Sequence, residues 1–549
     1  MNILFIMYDQ LRFDYLSCAG HPHLDTPNFD RVAAMGVRFT NAYCQSPICG
    51  ASRMSFYTGR YAASHGAQWN GFPLRVGEHT LGDHLRRAGM DAWLIGKTHM
   101  KADAEGMERL GLDPDSVIGA RQSECGFDVW VRDDGLWAQG PDGYYDAQRS
   151  PYNAYLNARG YDGENPWADF ANAGVTDGQI ASGWLFDNAD KPANIREEDS
   201  ETPWLTSEAL RFMAQAKGPW CAHVSYIKPH WPYIVPAPYH DMYGPETVPP
   251  ANRARTERDN AHPVYAAFME RPVANAFHDD AVRAKVIPAY MGLIKQCDDQ
   301  LGRILDALET AGQMDDTMIV LTSDHGDYLG DHWMGEKDMF HDPSVKIPMI
   351  IYDPRAAADG TRGKACDALV EAIDLAPTFL AAAGGADAGH ILEGRDLTPW
   401  LHGETPADWR SFVISEYDYS VSPIREKVGV SIRDARLFML FDGRYKLVHA
   451  EGGMRPMLYD LMTDPNELID LGASAEHADT ILRLYDALRA WGLRRSQRVT
   501  LSDAQIDGMR GRSLRRGVLP FLKDGSEVDP ELTQKYRGPA SQDHTSQDP

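Results

Sequence analysis

The chain has 549 residues, 43% of them hydrophobic and 24% charged. That is a globular composition, long enough for two or three structural units, and it excludes a disordered or fibrous chain. A formal net charge of -25 argues against nucleic acid as a partner. Seven cysteines, an odd number with no Cys-x-x-Cys pair, argue against a disulfide framework and for a reducing compartment.

Asn2 to Met7 is an apolar run of the kind buried on both faces in a parallel sheet. It lacks the basic opening of a signal peptide, so a cytoplasmic location is expected. No run of about 18 apolar residues occurs, so neither a membrane span nor a membrane partner is expected. The first strand ends at Asp9-Gln10, and in open α/β sheets ligands gather at the carboxyl ends of strands. Thr26 to Gly36 reads as a helix, with a threonine cap, Pro27 in the first turn and a terminal glycine. Val37 to Tyr43 is a short strand feeding the stretch Cys44 to Arg60. There Cys49 opens an amphipathic helical run that stops at Gly59. A helix N-terminus favours anions and anionic nucleophiles; the plain alternative is a small buried cysteine.

Leu81 to Gly89 reads as a helix and Ala92 to Ile95 as a buried strand, which ends at Gly96-Lys97-Thr98-His99. Residues 102–200 read as irregular excursions that supply substrate contacts. Thr206 to Ala216 is a helix. The strand Trp220 to Tyr226 runs into Pro229-His230-Trp231-Pro232-Tyr233, a loop stiffened by two prolines. Residues 252–280 form another polar excursion, and Ala281 to Ala311 a long helix interrupted at Pro288. The strand Met318 to Thr322 ends at Ser323-Asp324-His325-Gly326, with Lys337 downstream. Lys346 to Tyr352 reads as a strand and Ala368 to Ala383 as a helix. Beyond residue 398 the pattern changes. Phe412 to Glu416, Val428 to Ile432, Leu437 to Leu440 and Tyr445 to His449 read as strands of an antiparallel sheet, covered by a helix from His477 to Leu493. The expected division is a catalytic α/β domain over 1–397, an α+β subdomain over 398–499, and a polar tail over 500–549 that serves as an oligomerisation arm.

Asp9, Asp324 and His325 thus end two apolar strands. Two carboxylates and an imidazole suit a hard to borderline divalent cation, to which Gln10 could add a neutral oxygen. Gly326 permits the sharp turn of a chelating loop. The same edge would gather Arg53, Lys97, His99, His230 and Lys337. A cation with several fixed positive groups suits a tetrahedral oxyanion, sulfate or phosphate.

With these residues in view, the chain resembles the sulfatases of the alkaline phosphatase superfamily. The family signature Cys-x-Pro-x-Arg stands here as Cys49-Gly50-Ala51-Ser52-Arg53, followed by Tyr57-Thr58-Gly59-Arg60. Gly96 to His99, Pro229 to Tyr233, Asp324 to Gly326 with Lys337, and Tyr445-Lys446-Leu447 with Leu458 to Glu467 match further family elements. The resemblance implies a large, mostly parallel sheet flanked by helices, with a smaller C-terminal antiparallel unit. It implies one divalent metal, calcium or manganese, at Asp9, Gln10, Cys49, Asp324 and His325. It also implies oxidation of Cys49 to Cα-formylglycine by a formylglycine-generating enzyme, the aldehyde hydrate then attacking sulfur or phosphorus.

By the same resemblance, Arg53 and Lys97 hold the hydrate and Lys337 the non-bridging oxygens. His230 protonates the leaving alcohol or phenol, and His99 assists expulsion of the bound anion. Asn70 and Thr98 are expected substrate contacts. Two departures stand out: Ala51 replaces the signature proline, and Gln10 stands where many sulfatases carry a second aspartate. The Asp-Gln pairing looks like the choline-sulfatase and phosphonate-monoester-hydrolase branches, yet Lys97-Thr98-His99 stands where the latter carry Tyr-x-Thr. The expected activity is arylsulfatase-type hydrolysis of small-molecule sulfate monoesters, promiscuous toward phosphonate monoesters and phosphodiesters. A phosphonate monoester hydrolase is the runner-up. An unconverted, non-catalytic anion-binding member is the reading from a different class. A homo-oligomer, dimer or tetramer, is expected through the tail.

Overall fold

Eight strands form one sheet, and four of its neighbouring strand ends build the site. The computed structural model of the chain describes residues 1–135, 150–494 and 500–509. The strands of the large sheet are β1 (Asn2–Asp9), β2 (Val37–Tyr43), β3 (Asp91–Gly96) and β4 (Asp128–Arg132). A small hairpin, β5 (Ala173–Thr176) and β6 (Gln179–Ser182), intervenes. The sheet continues with β7 (Trp220–Pro229), β8 (Thr317–Ser323), β9 (Met349–Tyr352) and β10 (Lys364–Glu371). Their spatial order is β10-β2-β9-β8-β1-β7-β3-β4. Only β9 runs against the others, pairing antiparallel with both β2 and β8.

The central strand β1 is buried at every position, as its two-sided packing demands. Leu4 and Ile6 face one layer, the helices Glu201–Gln215 and Asp280–Thr310, and share a core with Leu205, Phe212, Ile287 and Leu301. Each such fully buried side chain contributes roughly 1.5–3 kcal/mol. Phe5 faces the opposite layer, meeting Phe56 at 6.2 Å and Phe379 at 5.3 Å between ring centroids. The second sheet, β11 (Val413–Asp418), β12 (Arg436–Phe441), β13 (Tyr445–Ala450) and β14 (Met457–Asp460), is an antiparallel meander. Its Ile414, Leu440, Leu447 and Leu458 pack under Leu484, Leu488 and Trp491 of the helix Ala478–Gly492. Residues 1–387 and 392–494, which hold both sheets, form one compact unit. In the second unit, Asp503–Met509 is a short helix. The expected arm falls largely on 510–549, outside the described residues. No helix among the described residues is long and apolar enough to cross a membrane.

Several elements differ from the sequence expectations. Residues 364–371 are an edge strand, β10, parallel to β2, and the helix begins only at Leu375. Its exposed Lys364 and Ala365 hide the alternation that marks a half-buried strand. Residues 424–428 are helical, and the expected strand at 428–432 is a turn in which Gly429 takes φ 77°. The fourth strand of the meander is β14 instead. Pro288 does not interrupt the long helix, which runs unbroken from Asp280 to Thr310. The helix Cys49–Thr58 is not amphipathic: every residue in it is buried.

Candidate active site

The order β8-β1-β7-β3 brings the carboxyl ends of four parallel strands side by side. Asp9 closes β1, His230 follows β7, Lys97 follows β3 and Asp324 follows β8. The helix Cys49–Thr58 delivers Cys49 as its first residue. Ile48, the preceding residue, has no capping side chain; the side-chain amide oxygen Oδ1 of Asn70 instead accepts the Gly50 N–H at 2.7 Å. A Cβ on Gly50 would lie 2.8 Å from that oxygen, so glycine is needed for the approach.

Cys49 Sγ lies 3.0 Å from His325 Nε2 and 3.8 Å from Asp9 Oδ1. Asp9, Cys49, Asp324 and His325 are all buried, and their potential ligand atoms lie within 4.8 Å of one another. His325 donates Nδ1–H to the Gly326 carbonyl at 2.9 Å, which turns Nε2 toward the cluster; that nitrogen would offer a lone pair to a cation that displaces its proton. Burial opposes an imidazolium there, but Asp324 and Cys49 outweigh it and hold His325 at about 9. The pocket thus favours positive charge, and two carboxylates with an imidazole fit a divalent cation. Gln10, at φ 64°, accepts from Lys337 Nζ at 2.8 Å through Oε1, while its amide nitrogen bonds Tyr233 and Asp327. One Oε1 lone pair remains for a cation.

Arg53 is fully buried. It donates to Asp324 Oδ2 at 2.7 Å, Asp9 Oδ2 at 3.1 Å, Ser225 Oγ at 2.7 Å and the Lys97 carbonyl at 3.0 Å. Its donors therefore brace the two carboxylates beside Cys49. Lys97 Nζ reaches Asp9 Oδ2 at 2.6 Å. Burial alone would raise the Asp9 carboxyl; Lys97, His230 and Arg53 overcome this and keep it well below the carboxylate range.

His230 Nε2 lies 2.9 Å from Lys337 Nζ, and its Nδ1 bonds the Trp231 carbonyl at 2.8 Å. Burial and Lys337 hold His230 well below its ordinary value; burial and Lys97 do the same to His99. His99, at φ 55°, donates its backbone N–H to Asp134, and its buried Nδ1 has no partner. Thr98 is a correction: it is fully buried, lies outside the cleft, and donates its hydroxyl to Glu124 at 2.6 Å. Cys49, Asn70, Lys97, His99, His230 and Lys337 all line one cleft of about 900 Å³. Trp69, Trp231 and Tyr417 give it an aromatic rim.

A second group, Glu257, His332 and His341, also brings potential ligand atoms within 4.8 Å. Its imidazoles stack at 3.7 Å and 5°. Lone pairs in parallel ring planes do not meet at one ion, and both Nδ1 atoms are engaged, by Glu257 and Tyr328. That group is structural.

The family model for sulfatases matches residues 1–386. The chain belongs to the sulfatase family. A second model, the C-terminal region of N-sulphoglucosamine sulphohydrolase, matches residues 330–492. The multifunctional alkaline phosphatase superfamily protein PehA of Trinickia caryophylli is 30% identical over 528 residues, covering 90% of this chain and 96% of that protein. An arylsulfatase of Clostridium perfringens is 28% identical, covering 87% and 92%. Among solved structures, the phosphonate monoester hydrolase SpPMH of Silicibacter pomeroyi aligns with TM-score 0.79 at 29% identity, covering 92% of this chain and 98% of that one.

This sulfatase-family site also uses residues the sequence reading did not single out. Asp327 takes hydrogen bonds from Gln10 and from Tyr233. Ser225 anchors Arg53, and Asp134 anchors His99. Asp327 was within reach of inspection, two residues past His325. Ser225 and Asp134 carry no local signal, since only the strand register brings them to the site.

Proposed function

We propose that the chain hydrolyses sulfate monoesters, arylsulfatase-type, and accepts phosphonate monoesters and phosphodiesters at the same site. The observation that carries this reading is the grouping of Cys49 with Asp9, Asp324 and His325, ringed by Lys97, Lys337 and His230 in one cleft. Sulfatase family members use a metal ion and formylglycine. Cys49, once converted, would supply an aldehyde hydrate as nucleophile, and a calcium or manganese ion held by Asp9, Asp324, His325 and Gln10 would lower that hydrate's pKa.

The remaining work falls to the chain's own side chains. Lys337, fixed between Gln10 and His230, offers a desolvated cation to the non-bridging oxygens. Lys97 holds Asp9 from the cleft side. His230 is neutral, with Nδ1–H on a carbonyl, so its Nε2 accepts from Lys337; the proton that goes to the leaving oxygen is the one Lys337 passes to Nε2, and water restores it after the alcohol departs. His99, kept neutral, is placed to accept a proton as the anion departs.

Phosphonate monoester hydrolysis as the main activity is favoured by the likeness to phosphonate monoester hydrolase structures; Lys97 and His99 speak for sulfate. A panel of aryl sulfates, phosphonate monoesters and phosphodiesters ranks the two by kcat/KM. Peptide mass spectrometry over Cys49–Arg53 reads conversion as a loss of about 18 Da. Intact thiol in protein from its own host, with no turnover of any ester, would overturn both in favour of a non-catalytic anion-binding protein.

A further inference from the structure

The segment that carries Lys337 is unusually strained. Of ten non-glycine residues with positive φ among the described residues, five lie here: Leu329, His332, Trp333, Glu336 and Asp338. Asp338, at φ 100°, sits in a conformation suited to glycine. Such a residue costs on the order of 1–3 kcal/mol and persists only where its surroundings impose it.

The surroundings do so through the carboxylate. Asp338 Oδ1 accepts the Tyr417 hydroxyl at 2.8 Å, and Oδ2 is ion-paired with Arg271. Arg271 also lies 3.8 Å from Glu336 Oε2, on the other side of Lys337. The Asp338 N–H reaches the Pro47 carbonyl at 3.3 Å, two residues before Cys49. Tyr417 belongs to β11, is 1% exposed, and packs its ring 5.5 Å from Trp69. Asp338 stands outside the acidic cluster around Cys49, whereas its neighbour Lys337 reaches Gln10 and His230.

We propose that Asp338 is a positioning residue. Arg271 and Tyr417 grip its carboxylate, hold the backbone at φ 100°, and thereby aim Lys337 at Gln10 and His230. Through Tyr417 the C-terminal sheet takes part in the site. The use of Lys337 in turnover rests on the hydrolase reading; its placement by Asp338 does not.

Asp338→Gly and Asp338→Ala separate the possibilities. Both remove the carboxylate, but only glycine tolerates φ 100° without the grip. Crystal structures of the variants should keep Lys337 Nζ within about 3 Å of Gln10 Oε1 in Asp338→Gly and release it in Asp338→Ala. The glycine variant should turn over esters about tenfold faster than the alanine variant, since small misplacements of a reacting group are costly. In a Lys337→Ala background that difference should vanish, which a merely structural role would not produce. Tyr417→Phe, a milder change, should shift Lys337 in the same direction. Lys337 unmoved in Asp338→Ala would overturn the proposal, as would equal losses in both variants that persist without Lys337. If the unaltered protein turns over no ester, the hydrolase reading fails, and the crystal structures still decide the positioning role.

Discussion

Arg53 and Lys97 both donate to Asp9 Oδ2, at 3.1 and 2.6 Å, in a setting closed to solvent. Removing that one charge leaves Lys97 without its carboxylate and Arg53 with Asp324 alone, a loss of several kcal/mol in comparable buried pairs. Asp9→Asn should therefore lower the melting temperature, abolish retention of calcium or manganese, and reduce kcat/KM by a factor on the order of a hundred or more. Metal titration followed by calorimetry checks this; full metal binding in the variant would remove Asp9 from the ligand set. His230 makes a different prediction. A group that protonates the leaving oxygen matters most when that oxygen is basic. His230→Asn should slow an alkyl or phenyl ester roughly 10²–10⁴-fold and a 4-nitrophenyl ester much less. An equal loss on both leaving groups would assign His230 to anion binding instead.

At the scale of elements, the first turn of the Cys49–Thr58 helix depends on Asn70 reaching Gly50. A Cβ at position 50 would also stand 3.2 Å from the Asn70 Cα, so Asn70 must retreat as a whole. Gly50→Ala should lose about 1 kcal/mol with the cap and raise KM; denaturant midpoints and kinetics read both. Strand ends with a polar residue behind a long apolar run were legible, because β1, β7 and β8 are buried at every position. That pattern placed Asp9, His230 and Asp324 at one edge. The edge strands β4 and β10 were not legible, since their apolar runs, Val129 to Val131 and Ala368 to Val370, are only three residues long and are flanked by charged residues. The direction of Thr98 is not legible in its motif, because Glu124, 26 residues on, takes its hydroxyl. The grip on Asp338 was invisible for another reason: Arg271 and Tyr417 lie 67 and 79 residues away in the chain.

For the molecule as a whole, two opposing effects set the response to mild acid. A net charge of -25 with a sequence pI of about 5.1 means that acidification relieves self-repulsion, which favours the compact state. Buried histidines act the other way. His223 lies between Phe5 and Tyr57, donating Nδ1–H to the Phe5 carbonyl at 3.2 Å and accepting the Tyr57 hydroxyl at 2.8 Å. His65 accepts the Ala67 N–H and faces Ser55. Each needs a lone pair that protonation would remove. Burial, aided by Arg53 for His223 and by Arg60 for His65, holds both at about 3, against an ordinary value near 6.5. The unfolded chain therefore binds their protons first, so this stability is complete above pH ~6.5 and declines as pH falls toward 3. At pH 5.5 the loss is about 1.4 kcal/mol for each histidine. Urea denaturation at pH 7.5 and 5.5 should show the protein weaker at the lower pH, and His223→Gln should shrink that difference by about 1.4 kcal/mol. A protein that gains stability on acidification, with His223→Gln unchanged in its pH dependence, would mean that relief of charge repulsion dominates and that these histidines are not held neutral.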